Sequence, residues 1–212
     1  MSIVGIIDID IGSLNSIKAC LNNIDVKTDF FCDPKSIHKY KYVILPGVGN
    51  FGYASKRLQD NNWGSYIKEF LVNKENKFMG ICLGFQMLFE SSDESKFVKG
   101  LGLIEGKIKK LKSSRSDRIP HVGWNDVIPS KTHSYLNFLD KPMDVYFVHS
   151  YGFLINQKSN LNVFNEFTFT KHGENNILSS FRSSNLYGCQ FHPEKSSRVG
   201  AKFLKFFLDL DA

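Results

Sequence analysis

The chain has 212 residues, 42% of them hydrophobic, which suits one domain with a sizeable core, and no apolar run approaches membrane-spanning length. Its formal charge of +6 can mean nucleic acid, but the lysines are scattered and concentrate on no helix or strand, so a solvated surface is the first reading and a face for an acidic partner the second. Four cysteines without a pattern, and an apolar start that lacks a basic front and contains Asp8 and Asp10, predict a first strand rather than a signal peptide and a reducing, cytoplasmic setting.

In chain order, the apolar patterning predicts a strand at 3–7, a helix around 14–21, a strand at 42–45, a helix around 65–72 and a strand at 77–81. The stretch from 105 to 180 has less helical patterning and more β-branched and aromatic residues. It carries turn clusters such as SSRSD (113–117) and HGENN (172–176), and its lysines at 107–112 alternate with apolar residues as on a half-exposed strand. Within it a strand is predicted at 145–148, and after it a strand at 186–191 and a helix around 199–208. The alternation implies an α/β fold with a mainly parallel central sheet flanked by helices and an antiparallel or mixed extension. No repeat, low-complexity tract or long linker divides it, so residues 1–212 are expected to form a single domain.

The most specific segment is GICLGFQMLFE (80–90). The run KFMGI reads as a buried strand, and LGFQMLFE has helical spacing, so Cys82 falls at a strand-to-helix turn. Gly80 and Gly84 have the spacing of a nucleophile elbow with cysteine as its apex: the turn is so tight that side chains two residues to either side would collide. Such a turn lifts the sulfur clear of the backbone at a helix N-terminus, where N–H groups favour the thiolate, and it aims the N–H of Leu83 at a developing oxyanion. Cys20, Cys32 and Cys189 lack flanking glycines at that spacing and are expected to be packing cysteines.

Six histidines compete as base, and His192 is favoured by its neighbours in QFHPE (190–194). If LYGCQFHPE runs as a strand into an extended turn, His192 and Glu194 point to one side with Pro193 stiffening the link. Glu194 then orients one ring nitrogen and the other takes a proton from Cys82, the logic of a nucleophile, base and orienter triad.

PGVG (46–49), GICLGFQ (80–86), PHVGWN (120–125), YFVHSY (146–151) and QFHPEKS (190–196) resemble the motifs of class I, triad-type glutamine amidotransferases over essentially the whole chain. PHVGWN and YFVHSY resemble, within that family, the glutaminase subunits of imidazole glycerol phosphate synthase. The resemblance implies that Cys82, His192 and Glu194 are catalytic and that glutamine passes through a glutamyl thioester. It also implies that Gly47, Val48 and Gly49 form an oxyanion strand, that Gln86 contacts the substrate amide, and that the Ser150 and Tyr151 backbone cradles the amino-acid head group.

The chain contains no phosphate loop, dinucleotide fingerprint or metal cluster, so no cofactor or metal is expected and the ammonia acceptor site must lie on another polypeptide. The resemblance makes that partner a cyclase subunit with a (β/α)₈ barrel, forming a heterodimer through a surface that includes Trp124 and Lys195, without nucleic acid or membrane. One departure stands out. The family's opening loop usually reads Asp-Tyr-Gly-x-Gly-Asn-Leu, whereas Asp8, Ile9, Asp10, Ile11, Gly12, Ser13 and Leu14 stand here. That pattern suits either a diverged histidine-pathway enzyme or a paralogue that feeds ammonia to a related synthase making amidated sugars for surface polysaccharide or flagellin.

Overall fold

The computed structural model of the chain describes residues 3–12, 14–113, 117–130, 143–156 and 159–210. Its first half is a βα alternation: β1 (Val4–Ile7), α1 (Leu14–Asn22), β2 (Thr28–Phe31), β3 (Tyr42–Leu45), α2 (Phe51–Asp60), α3 (Trp63–Phe70), β4 (Lys77–Ile81) and α4 (Leu83–Met87). A strand-rich half follows, with β5 (Phe89–Ser92), β6 (Ser95–Lys99), β7 (Ile104–Lys110), β8 (His121–Pro129), β9 (Met143–His149), β10 (Tyr151–Gly152), β11 (Glu166–His172), β12 (Asn175–Ser183) and β13 (Leu186–Cys189), before α5 (Ser197–Phe207) closes the chain.

Nine strands make the main sheet in the order β2-β1-β3-β4-β13-β12-β11-β8-β9. From β2 to β13 the pairings are parallel, and from β13 to β9 they are antiparallel. The reason lies in the connections. Strands joined through helices return in the same direction, whereas β11 and β12 are joined by a two-residue turn at Gly173–Glu174 and must reverse. That turn is HGENN; SSRSD lies mostly outside the described residues. β10, β7, β5 and β6 form a second, smaller sheet, in which β7 buries Ile104 and Ile108 and turns Lys107 and Lys109 outward, as the alternation predicts, while Lys110 at its end is exposed as well.

The parallel strands β1, β3 and most of β4 are buried on both faces, so they read as continuous apolar runs rather than alternating ones. On one side α1 and α5 cover Val4, Ile6, Ile44 and Ile81 with Ile17, Leu21, Phe203 and Phe207; on the other, Phe51, Trp63, Ile67 and Phe85 from α2, α3 and α4 pack over Val43, Leu45 and Phe78. In α5 the buried Gly200, Phe203, Leu204 and Phe207 recur at helical spacing and form one apolar stripe.

The sequence reading did not find β2 or α2. β2 is a four-residue edge strand with only Phe31 buried, and α2 buries only Phe51, Ala54, Ser55 and Leu58, so neither carries a strong apolar period. Cys189 is buried as expected, but Cys32 is exposed just beyond the end of β2 and Cys20 is half-buried on α1, so the expectation of packing cysteines fails for Cys32. No helix among the described residues is long and apolar enough to cross a membrane.

Candidate active site

The site lies at the carboxyl ends of the parallel strands, where β1, β3, β4 and β13 each release a loop. β4 and β13 pair in register Gly80↔Gly188 and Ile81↔Cys189, which sets Cys82 beside Gln190 although 108 positions separate them. The Cys82 N–H continues the ladder to the Cys189 carbonyl (2.8 Å), and the chain then reverses with Cys82 at φ 53° and ψ −105°, a region that a non-glycine residue occupies only when its surroundings enforce it.

The two elbow glycines serve different approaches. A Cβ on Gly80 would lie 2.6 Å from the Gly84 carbonyl oxygen, the collision expected from the spacing, whereas a Cβ on Gly84 would lie 1.9 Å from the carbonyl oxygen of Leu45 on β3. Gly84 therefore seats α4 directly against the sheet. α4 is only five residues long, so the dipole field expected at its start is weak.

His192 follows β13, its N–H bonded to the Tyr146 carbonyl (2.9 Å) and its carbonyl accepting from the Ser196 hydroxyl (2.6 Å). β13 ends at Cys189, and Pro193–Lys195 form one turn of 3₁₀ helix rather than the extended turn considered above. The curl brings the Glu194 carboxylate to 2.7 Å from His192 Nδ1, with both side chains buried. Gly200 permits it, because a side chain there would strike the Pro193 carbonyl at 1.9 Å.

With Nδ1 engaged, Nε2 faces the nucleophile. Cys82 meets the ring there through a side-chain hydrogen bond looser than the one to Glu194, together with a coulombic contribution. Burial disfavours the imidazolium, but Cys82 and Glu194 outweigh it and push the His192 pKa up to about 10, so the ring keeps its proton at neutral pH.

A cavity of about 310 Å³, the low end of the small-ligand range, opens over Cys82. Val48, Gly49, Leu83, Gln86, Ser150 and Tyr151, all singled out from the sequence, line it. Gln86 is buried, and its amide donates to the Tyr151 carbonyl (2.8 Å) and to the Gln190 side chain (3.1 Å).

In this conformation both expected oxyanion donors are engaged. The Leu83 N–H donates to the Gly47 carbonyl (3.2 Å) instead of pointing into open space, and the Val48 N–H donates to the Ile11 carbonyl (2.6 Å). One peptide, Gly47–Val48, thus occupies both donors in this conformation, and Gly49 beside it sits at φ 106°. The loop that departs from the family pattern is the loop that holds Val48, and Arg57 anchors it through the Ile9 carbonyl (3.2 Å) and the Asp10 carboxylate. Ser13 lies outside the described residues.

Trp124 and Lys195 lie on the outer face. Trp124 is 54% exposed on β8 and packs edge-on against Tyr146 on β9, with Lys195 Nζ 5.6 Å from the centre of the same ring. Val122 and Val148, 54% and 37% exposed, pair across the two strands and extend that apolar face.

Sequence reasoning missed two residues. Glu94 lines the cavity while its Oε2 accepts from the Phe51 N–H at the start of α2 (2.8 Å); an acidic residue in a polar hairpin offers no signal of this. Gln190 lies inside QFHPE, so its presence was visible but the direction of its side chain was not. His149, another of the six histidines, donates from Nδ1 to the Tyr151 carbonyl (2.9 Å) and accepts at Nε2 from His121 Nδ1 (3.1 Å), and burial pushes its pKa down to about 3. Among the described residues no group of three or more metal-ligating side chains converges.

The sequence model of the glutamine amidotransferase class-I family matches residues 6–210. The chain is 39% identical over 205 residues to imidazole glycerol phosphate synthase subunit HisH 2 of Vibrio vulnificus (strain YJ016), spanning 96% of this chain and 92% of that one. It is 37% identical over 205 residues to subunit HisH of Prochlorococcus marinus subsp. pastoris, spanning 97% of each. Among solved structures, a chain from the structure of PurLQS from Thermotoga maritima superposes with a TM-score of 0.70 over 99% of both chains at 16% identity, a likeness of fold. A second, described as a glutamine amidotransferase, gives 0.69 over 96% of this chain and 98% of its own at 15% identity. With a family match over nearly its whole length and a cysteine elbow facing a carboxylate-held histidine, the chain belongs to the class-I glutamine amidotransferases.

Proposed function

We propose that the chain is the glutaminase subunit of imidazole glycerol phosphate synthase, hydrolysing glutamine to glutamate and ammonia and passing the ammonia to a separate cyclase subunit in histidine biosynthesis. The observation that carries it is that Cys82, on the wall of a glutamine-sized cavity, meets the His192–Glu194 pair, in a chain 36–39% identical to HisH subunits along its length.

Cys82 Sγ attacks as the thiolate, paired with protonated His192, at the side-chain carbonyl carbon of glutamine. As the C–N bond breaks, His192 gives its proton to the leaving nitrogen, releasing ammonia and leaving a glutamyl thioester. His192, now neutral, takes a proton from water, whose oxygen adds to the thioester and frees glutamate as its side-chain acid and the thiolate, restoring the starting pair. A ring that rests protonated is suited to the first of these transfers. Gln86 and the backbone of Ser150 and Tyr151 hold the substrate. Glu94, a carboxylate on the cavity wall, suits its α-ammonium group. Turning the Gly47–Val48 peptide would release the Leu83 N–H and the Val48 N–H together as oxyanion donors.

The partner is a cyclase with a (β/α)₈ barrel, bound through Trp124, Lys195 and the exposed Val122 and Val148. An exposed aromatic on an apolar face is the residue type that dominates such contacts. The family match from residue 6 to 210 supports reading residues 1–212 as one domain. The divergent 8–14 loop favours a second reading, a paralogue supplying ammonia to an amidated-sugar synthase; stimulation by a sugar-pathway synthase and not by a histidine-pathway cyclase is its signature.

The test is covalent. A glutamine analogue bearing a γ electrophile is expected to add to Cys82 alone, and Cys82→Ser is expected to abolish glutamate release from a folded protein. An adduct on Cys20, Cys32 or Cys189 with Cys82 unmodified overturns the assignment.

A further inference from the structure

Gln190 is fully buried and has a side chain with two faces, one on the nucleophile and one on the proposed substrate contact. Its Nε2 lies 3.7 Å from Cys82 Sγ, and its Oε1 lies 3.1 Å from Gln86 Nε2.

The orientation of this amide follows from its neighbours. The Tyr151 carbonyl can only accept, so the Gln86 atom 2.8 Å from it is the NH₂ group. That same NH₂ faces Gln190, so the Gln190 atom opposite is the oxygen, and its NH₂ group is left for the sulfur. Reversing either amide would set donor against donor or acceptor against acceptor in a fully buried place. A backbone carbonyl that lines the cavity thus dictates, through two glutamines, that the nucleophile is met by an N–H donor.

We propose that Gln190 is a positioning residue for the nucleophile, its amide N–H holding the Cys82 sulfur at the elbow and its amide oxygen holding Gln86 towards the substrate. The proposal rests on the glutaminase reading of the site. An N–H donor stabilises charge on sulfur before attack and lets it go as the thioester forms. α4, only five residues long, provides little of that field. The donor also restrains the sulfur's direction from a second side, beside its contact with His192.

Gln190→Glu preserves shape and the acceptor for Gln86 while replacing the donor with an oxygen. Alkylation of Cys82 by iodoacetamide, followed by peptide mass spectrometry to separate it from the exposed Cys32, is expected to slow about tenfold at neutral pH, its midpoint moving up by about one unit. With glutamine, kcat is expected to fall about tenfold and KM to change by less than about threefold, because the Gln86 contact survives. Gln190→Met, which fills the volume without a donor, is expected to give the same alkylation shift.

A purely structural role would lower stability and leave the midpoint unchanged. Folded variants whose alkylation midpoint and kcat stay within about twofold of the parent overturn the proposal. Should both variants fail to fold, the parent decides: the Gln190 side-chain NH₂ resonances are expected to shift through the same midpoint as Cys82 alkylation, and resonances that stay fixed while the thiol titrates overturn it. Absence of glutamate release by the parent, with or without a cyclase, refutes the glutaminase reading, while the alkylation profile still decides on Gln190.

Discussion

Replacing Gly84 by alanine separates the placement of the nucleophile from the stability of the fold. The new Cβ would lie 1.9 Å from the Leu45 carbonyl oxygen, against the 3.0 Å below which such contacts do not occur, so α4 and β3 must part by about 1.1 Å. The obstacle is backbone in the middle of the parallel sheet and cannot rotate away. Two terms oppose each other in stability: alanine in place of glycine in a helix contributes about 1 kcal/mol, and overpacking costs about 1–3 kcal/mol. The net destabilisation is therefore about 0–2 kcal/mol, read as a modest drop in the urea midpoint. Activity has no such offset. The displaced segment begins one residue after Cys82, and a misplacement of about 1 Å costs on the order of 10²-fold in rate. Glutamate release and urea unfolding of Gly84→Ala, measured side by side, should show a rate loss far larger than the stability loss. A folded Gly84→Ala protein within about threefold of parental activity would refute the claim that this contact sets the nucleophile.

Two further outcomes are expected. Proline holds φ near about −65°, so Gly49→Pro, at a position with φ 106°, removes one N–H and forbids the observed backbone; glutamate release is expected to lose any stimulation by the proposed cyclase partner, and stimulation equal to the parent's would refute the role of this segment. Acid should weaken the fold through His149 and His121, whose pKa values burial pushes down to about 3 and about 4 from 6.5. The unfolded chain takes up these protons as pH falls through 6.5 and the native state does not, so stability drops between pH 6.5 and about 4, by about 2 kcal/mol at pH 5 for the fully buried His149 alone. His192, raised to about 10, stays protonated in the native state while the unfolded chain gains that proton only as pH falls through 6.5, so between pH 7 and pH 5 it offsets about 1 kcal/mol of the drop without cancelling it. Urea midpoints that coincide at pH 7 and pH 5 would contradict this account.

Local patterns were legible without coordinates. The strands at 42–45 and 77–81 match residue for residue, because a strand buried on both faces is a short apolar run, here preceded by Lys41 and Asn76 and closed by Pro46 and by the elbow at Cys82. Glycines two residues either side of Cys82 announced a tight turn, and the pairing of His192 with Glu194 was visible because both belong to one five-residue segment. Strand pairing decided the rest. Only the parallel register of β4 and β13 sets Gln190 against Cys82, and only the packing of β5 and β6 against α2 brings Glu94 to the cavity. The closed state of the Gly47–Val48 peptide depends on the Ile11 carbonyl, 37 positions from Val48, and on the Leu83 N–H, 36 positions from Gly47. These contacts join segments with no shared periodicity, and a hydrogen bond's direction depends on atoms that a linear pattern does not place. Composition and spacing therefore specified which chemical groups the chain carries, and the tertiary structure determined which of their lone pairs and protons are already engaged.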